Sequence, residues 1–314
     1  MNIVFAEPIG LTLDEAQDFK VEMENLGHSV TFFDNAPSGQ DELLQRVVEA
    51  DIVVVSNYAI SANVIENATN LKYIDVAFTG IDHIATAECK KRSIQVSNAA
   101  GYSNQAVAEL TIAMAIDLLR KITPADAVTR SLGGRNGFLG QELMGKTFGI
   151  MGLWQIGERV AQLAAAFGCR VIAWTRTPGK NDMVEHVDFE ELLKQSDILS
   201  IHLPLTAQTQ NLIGIKEFEL MKPTAFLINT ARAKIIDSHV LAAALTKPLI
   251  AGAAVDIYEK EPPIDAEHPL LSVPNTLLLP HIGFATHEAI AHRSKIVLDN
   301  IRYWLKGKPQ NLVG

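Results

Sequence analysis

The sequence predicts an α/β protein built on two doubly wound parallel sheets. Two observations carry this: short apolar runs alternate with helix-length amphipathic stretches, and the alternation comes in two series separated by one strongly apolar helical stretch. The size agrees, because a chain of 314 residues with 48% hydrophobic and 20% charged residues has globular composition, and at about 150 residues per domain it favours two domains.

In the first series the expected strands are Asn2–Ala6, Ser29–Phe33, Asp51–Val55, Tyr73–Val76 and Ile94–Val96. Thr12 followed by Glu15 forms a capping-box pattern, and Gly27 after Leu26 is a helix stop, so these residues bracket the first helix. The separating stretch, Asn104–Ile122, carries Val107, Leu110, Ala113, Met114, Ile116 and Leu119 and reads as one helix, apolar nearly all round and therefore buried. The second series places strands at Thr147–Met151, Arg170–Trp174, Ile198–Leu203, Ala225–Asn229, Ile250–Asp256 and Thr276–Leu279. Six strands is the size of a full dinucleotide-binding sheet. Thr286–Leu305 follows as one long helix with no strand after it, so it must pack back onto a structure already formed.

Net charge is −9, which argues against a broad nucleic-acid surface while leaving room for a local pair of cations gripping an anionic metabolite. Cys89 and Cys169 are far apart and in no CxxC pair, so they read as ordinary buried residues, neither a disulfide nor a zinc site. The opening residues Met1 to Glu7 lack a basic segment and read as a strand, not as a secretion signal. No apolar run reaches membrane-spanning length. A cytoplasmic protein without nucleic-acid or membrane partners is the expectation.

The strand Thr147–Met151 leads into Gly152-Leu153-Trp154-Gln155-Ile156-Gly157, after which Val160, Leu163, Ala164 and Phe167 recur with helical spacing. In a dinucleotide site the first glycine makes the turn, the second lets backbone approach the pyrophosphate and the third lets helix and strand pack closely. Trp154 occupies the second of these positions. Alone, so partial a motif is also compatible with an ordinary βα turn. The next strand is followed by Thr175 and Arg176, where an NAD site commonly carries an acid for the ribose hydroxyls. Thr175, Arg176, Thr177 and Lys180 instead offer hydroxyls and cations suited to a 2′-phosphate, so NADP is favoured over NAD.

With these and further motifs in view, the chain resembles the D-isomer-specific 2-hydroxyacid dehydrogenase family over nearly its whole length. The resemblance rests on Val107-Ala108-Glu109-Leu110-Thr111, Gly145-Lys146-Thr147, His202-Leu203-Pro204-Leu205-Thr206 and Ile228-Asn229-Thr230-Ala231-Arg232. It continues through Val255-Asp256-Ile257-Tyr258-Glu259-Lys260-Glu261-Pro262 and Leu279-Pro280-His281-Ile282-Gly283. It implies a Rossmann cofactor domain, residues 99–284, inserted in a discontinuous flavodoxin-like substrate domain made of residues 1–98 and 285–314. It further implies a homodimer and a small 2-keto or 2-hydroxy acid as the molecule acted on.

Carried over motif by motif, the resemblance makes Arg232, His281 and Glu261 the catalytic set, with Glu261 chosen over Glu259 because it directly precedes proline. The cofactor would be met by Gly152, Trp154, Gln155, Ile156 and Gly157, by Thr175, Arg176 and Thr177, by His202, Leu203 and Pro204, by Thr230 and Ala231, and by Asp256 and Gly283. Asp256 would take the nicotinamide carboxamide. The substrate loop would be 77–82, with Phe78, Thr79 and Gly80 at its centre, and Tyr102 and Phe284 as further pocket walls beside Arg232 and His281.

The residue types fit keto-acid reduction. An arginine fork suits a carboxylate and keto oxygen in a way lysine cannot copy, and a histidine with an ordinary pKa of about 6.5 can pass a proton near neutral pH. Glu261 on the ring would favour its protonated form. Each aromatic wall residue is equally compatible with plain packing, and His281, His287 and His292 lack a metal-ligand pattern, so no metal is expected. The alternatives are a cofactor-sensing protein of the same fold with weak turnover, and a nucleotide-binding methyltransferase, which needs neither His281 nor Glu261.

Overall fold

The structure, a computed structural model, describes residues 1–176, 184–260 and 263–313. The chain divides into two compact units, Met1–Ser103 with Ala285–Gly314, and Asn104–Phe284.

The first unit contains β1 (Asn2–Phe5), α1 (Leu13–Asn25), β2 (Ser29–Phe32), α2 (Gln40–Val47), β3 (Ile52–Val55), α3 (Ala62–Asn67), β4 (Tyr73–Val76), α4 (Thr86–Lys91) and β5 (Gln95–Asn98). The strands form a parallel sheet in the order β2-β1-β3-β4-β5, with Ile3 opposite both Val30 and Ile52. Both faces are covered, which is why Ile52–Val55 is apolar at every position and fully buried. Val4, Val53, Val55, Ile74 and Val76 pack with Leu43 and Val64 of α2 and α3. On the opposite face Phe5 meets Phe19 of α1. The expected capping box is present, with Thr12 accepting from the Glu15 N–H and Glu15 accepting from the Thr12 N–H. Gly27, beyond the helix, takes φ +78°.

The long last helix, α11 (His287–Leu305), returns to this unit. Val297 and Ile301 are buried, and Trp304 stacks on Tyr73 of β4 at 4.9 Å. The chain then pairs with β5, where Leu312 bridges Ser97 antiparallel.

This face also buries a carboxyl. Asp75 of β4 is fully enclosed, its Oδ1 accepting from Nδ2 of Asn300 at 3.0 Å, and burial pushes its pKa up to about 8. In the unfolded chain an aspartate ionises near 3.9. Between those values the folded state holds a proton that the unfolded state has released, so stability falls as pH rises from about 4 to about 8, by ~1.4 kcal/mol per unit. Asp75→Asn keeps the acceptor and removes the titration. Denaturant melts should find this variant more stable than wild type at pH 8, with the advantage shrinking towards pH 4; parallel curves would contradict the burial argument.

The second unit runs α5 (Asn104–Arg120), α6 (Ile122–Arg130), β6 (Thr147–Met151), α7 (Gln155–Ala166), β7 (Arg170–Trp174), β8 (Glu185–His186), α8 (Phe189–Gln195), β9 (Ile198–Ile201), α9 (Ile215–Leu220), β10 (Phe226–Asn229), α10 (Ser238–Thr246), β11 (Gly252–Val255) and β12 (Thr276–Leu278). All pairings are parallel, in the order β12-β11-β10-β9-β6-β7-β8. Alternate residues serve the two faces: Leu227 and Ala253 join a core with Phe218 and Leu241, whereas Ile228 and Ala254 join one with Ala108, Ile112 and Val160.

Three expectations are corrected. Among the described residues the sheet has seven strands, not six, because the two-residue β8 is too short to leave a periodic signal; it pairs with β7 and is tied to it by Arg170–Glu185. The stretch Asn104–Ile122 is not one continuous helix, since Lys121 adopts φ +53° and separates α5 from α6; within α5, Ala113 is exposed. Cys169 is half-buried, its thiol donating to the Leu143 carbonyl. Several strands also stop short of the residues expected at their carboxyl ends, which turn into loops instead.

Candidate active site

In a wholly parallel sheet all carboxyl ends share one edge, and ligands bind where neighbouring connections diverge. In the second unit that point lies between β6 and β9. There Gly152, at φ +98°, leaves β6 so closely against the β9 loop that a Cβ on it would stand 2.9 Å from the His202 carbonyl. Gly157 approaches from the helix side, where a Cβ would meet the Gly152 carbonyl at 2.1 Å. The first and third glycines are therefore demanded by the packing. Position 154 makes no such demand: Trp154 sits in extended backbone at the N-cap of α7 and is 68% exposed.

Among the described residues no side chain caps α7, so its first-turn amides are left for an outside acceptor, and the dipole there favours an anion. A tight glycine cradle and an uncapped helix start at the sheet's switch point fit the pyrophosphate of a dinucleotide. Gln155 is held by the Asn104 side chain at 3.1 Å. Thr175 is half-buried and Arg176 exposed at the end of β7, whereas Thr177 and Lys180 lie outside the described residues. His202 bonds Ser200 through Nε2 at 2.7 Å, and burial pushes its pKa down to about 3, so this ring is neutral.

Three adjacent strands deliver the proposed chemistry. Arg232 follows β10, Asp256 follows β11 and His281 follows β12. Asn229, at the end of β10, holds the arginine loop from both sides, accepting from the Ala231 N–H at 3.0 Å and donating to the Arg232 carbonyl at 3.0 Å. Thr230 meets Thr111 of α5 at 3.4 Å. His281 has φ +59°, a left-handed backbone for a residue with a Cβ. The two amides after it donate to Asp256: Ile282 N to Oδ1 at 2.8 Å and Gly283 N to Oδ2 at 2.7 Å. A buried carboxylate thus fastens the histidine loop to the neighbouring strand. The Phe284 ring stands edge-on to the imidazole at 5.5 Å.

Glu261 lies outside the described residues. Glu259, the rejected neighbour, is engaged by Ser238 at 2.5 Å and His268 at 3.2 Å. In the loop after β9, Leu203 is half-buried and Pro204 exposed. Within the first unit, the 77–82 loop follows β4, and the Phe78 ring lies 6.0 Å from that of the buried Tyr102. Sequence reasoning missed Asn229 as a brace and gave Asp256 only a ligand role; a polar residue closing an apolar strand is the signal both shared. Among the described residues no three His, Cys, Asp or Glu side chains group as a metal site, and no helix is long and apolar enough to cross a membrane.

Comparison with known proteins defines the class. Residues 112–283 match the family described as D-isomer specific 2-hydroxyacid dehydrogenase, NAD binding domain. The glyoxylate reductase of Thermococcus litoralis is 41% identical over 285 residues, 86% of each chain. Among solved structures, an acyclic imino acid reductase in complex with NADPH and D-Arg superposes with a TM-score of 0.91 at 32% identity, over 100% of both chains. The NAD-dependent formate dehydrogenase of Staphylococcus aureus, in complex with NAD, gives 0.89 at 27% identity, over 100% of this chain and 99% of that one. The chain belongs to the D-isomer specific 2-hydroxyacid dehydrogenase family.

Proposed function

We propose that this protein reduces a small 2-keto acid to the D-2-hydroxy acid. The observation that carries the reading is the His281 loop, held in a left-handed conformation by both oxygens of Asp256 beside the Arg232 loop. The similarity to a glyoxylate reductase favours a short substrate. Arg232 binds the carboxylate and keto oxygen through its guanidinium fork. His281 gives its ring proton to that oxygen as the carbonyl becomes a hydroxyl, and Glu261 supports the charged imidazole beforehand. Thr79 and Gly80 offer backbone N–H groups to the carboxylate, with Phe78, Tyr102 and Phe284 near the substrate side chain. Bound reduced nicotinamide supplies the hydride. Gly152, Gly157 and the amides at Gln155 and Ile156 hold its pyrophosphate, Asp256 its carboxamide, and Gly283, Thr230, Ala231 and the 202–204 loop complete the cradle.

NADPH is the cofactor we assign, since Thr175 offers no acid to repel a 2′-phosphate and exposed Arg176 is beside it. A charge-assisted contact of about 1.5–3 kcal/mol gives at least a tenfold preference. The test compares kcat/KM for NADPH and NADH on glyoxylate in wild type, Thr175→Asp and Arg176→Ala, with calorimetric cofactor affinity for Trp154→Gly. Wild type should favour NADPH, both single variants at the ribose end should lose that preference, and Trp154→Gly should bind at least as tightly. A wild type favouring NADH returns the assignment to NAD, and a wild type that binds neither cofactor removes the enzyme reading.

We also propose a homodimer. Helix α6 has no buried residue in its own chain, and Leu132 and Leu139 beyond it are 96% and 95% exposed, surface that a second copy would cover. Sedimentation as a monomer at micromolar concentration refutes this.

A further inference from the structure

We infer that Asn98 is a positioning residue for the substrate carboxylate: its side-chain amide sets the direction of the two backbone N–H groups, at Thr79 and Gly80, assigned to that group. The inference rests on the keto-acid reading above.

Asn98 closes β5 in the first unit, is 6% exposed, and has every polar group engaged. Its N–H donates to the Asn311 carbonyl at 3.1 Å, and its carbonyl accepts from Nδ2 of Asn300 at 3.2 Å. Its Oδ1 accepts from the Ala100 N–H at 3.3 Å, which fixes the amide so that Nδ2 donates to the Thr79 carbonyl at 2.6 Å. One residue on, the Ala99 N–H donates to the Phe78 carbonyl at 3.0 Å. Two successive carbonyls of the substrate loop are thereby drawn towards the end of β5.

A trans peptide sends its C=O and N–H in opposite directions. The Phe78 carbonyl shares a peptide with the Thr79 N–H, and the Thr79 carbonyl shares one with the Gly80 N–H. Both N–H groups therefore face away from β5, towards the side where Thr79 is exposed and Gly80 half-buried. Neither is paired among the described residues. In a straight strand successive carbonyls alternate in direction; the bend at residues 77–79 lets both point the same way. Successive N–H groups on one side of a bent backbone form an anion-binding concavity. The Ala99 bond belongs to the backbone and would survive mutation, so among the described residues Asn98 is the one side chain that holds the second peptide in this orientation.

The test is Asn98→Leu, close in size but without the donor. The readout is the ratio of kcat/KM for glyoxylate to that for its uncharged methyl ester, with NADPH affinity by fluorescence titration as a control. Loss of one well-aimed donor to a carboxylate lowers the ratio about tenfold or more, mainly through KM for glyoxylate, while cofactor affinity is unchanged. A merely structural role lowers both substrates alike and leaves the ratio intact, which overturns the inference. Should the leucine variant not fold, Asn98→Ser, too short to reach Thr79, is read by the same ratio. A wild type that reduces neither glyoxylate nor hydroxypyruvate overturns the keto-acid reading and the role of Asn98 with it; turnover with an unchanged ratio in the variant overturns Asn98 alone.

Discussion

His281→Ala is expected to lower kcat for keto-acid reduction at least a hundredfold with little change in cofactor affinity. General acid catalysis contributes about 10²–10⁴ in rate, and alanine at this position has no proton to give. The backbone should tolerate the change, because the amides of Ile282 and Gly283 remain bonded to Asp256. Arg232→Ala should lower kcat/KM by a similar factor, but with KM rising as well, since its fork is assigned to the substrate in both ground and transition states. Steady-state kinetics beside thermal melts check both. Wild-type turnover in His281→Ala removes the proposed mechanism.

The fold was legible because it is written in periodicities. The runs at Tyr73–Val76, Thr147–Met151 and Arg170–Trp174 match their strands at both ends, and Thr12 and Glu15 fix a helix start through hydrogen bonds that reach only three residues. Strand ends were harder where apolar residues continue past the ladder: Leu203 and Leu279 are hydrophobic, yet they belong to loops packed on the sheet's carboxyl edge. The break at Lys121 left no sign, because a lysine in left-handed backbone looks like any other lysine.

The candidate site was read from motif and resemblance, and the sequence said less about what holds it. The brace from Asn229 spans three residues and could have been suspected from a polar side chain at a strand end. The tie from Asp256 to the His281 loop crosses 26 and 27 residues and exists only because β11 and β12 are neighbours in the sheet. Sequence order does not state that adjacency. Trp154 is the opposite case: the sequence marked it as a departure from a glycine, and extended backbone with a solvent-facing indole shows why the turn accommodates it.

Asp256→Ala should be the most damaging change outside the residues that meet the substrate. The substitution strands two amide donors beside a buried carboxylate site, each costing about 1–3 kcal/mol when left without an acceptor, so the variant should melt several degrees lower. Its larger effect should be on rate. A non-glycine residue in left-handed backbone costs roughly 1–2 kcal/mol, and His281 stays there because its neighbours are fastened. Once the tether is gone the loop can relax to an ordinary conformation and carry the imidazole off its mark, where a displacement of about 1 Å can cost a hundredfold. Asp256 is also assigned to the nicotinamide carboxamide, so the two roles must be separated. Loss of the ligand contact alone weakens cofactor binding and is recovered at saturating NADPH, whereas loss of the tether persists at saturation. The expected result is a kcat at least about a hundredfold lower with cofactor sites filled. Full recovery of kcat at saturating NADPH would show that the histidine loop keeps its conformation without Asp256.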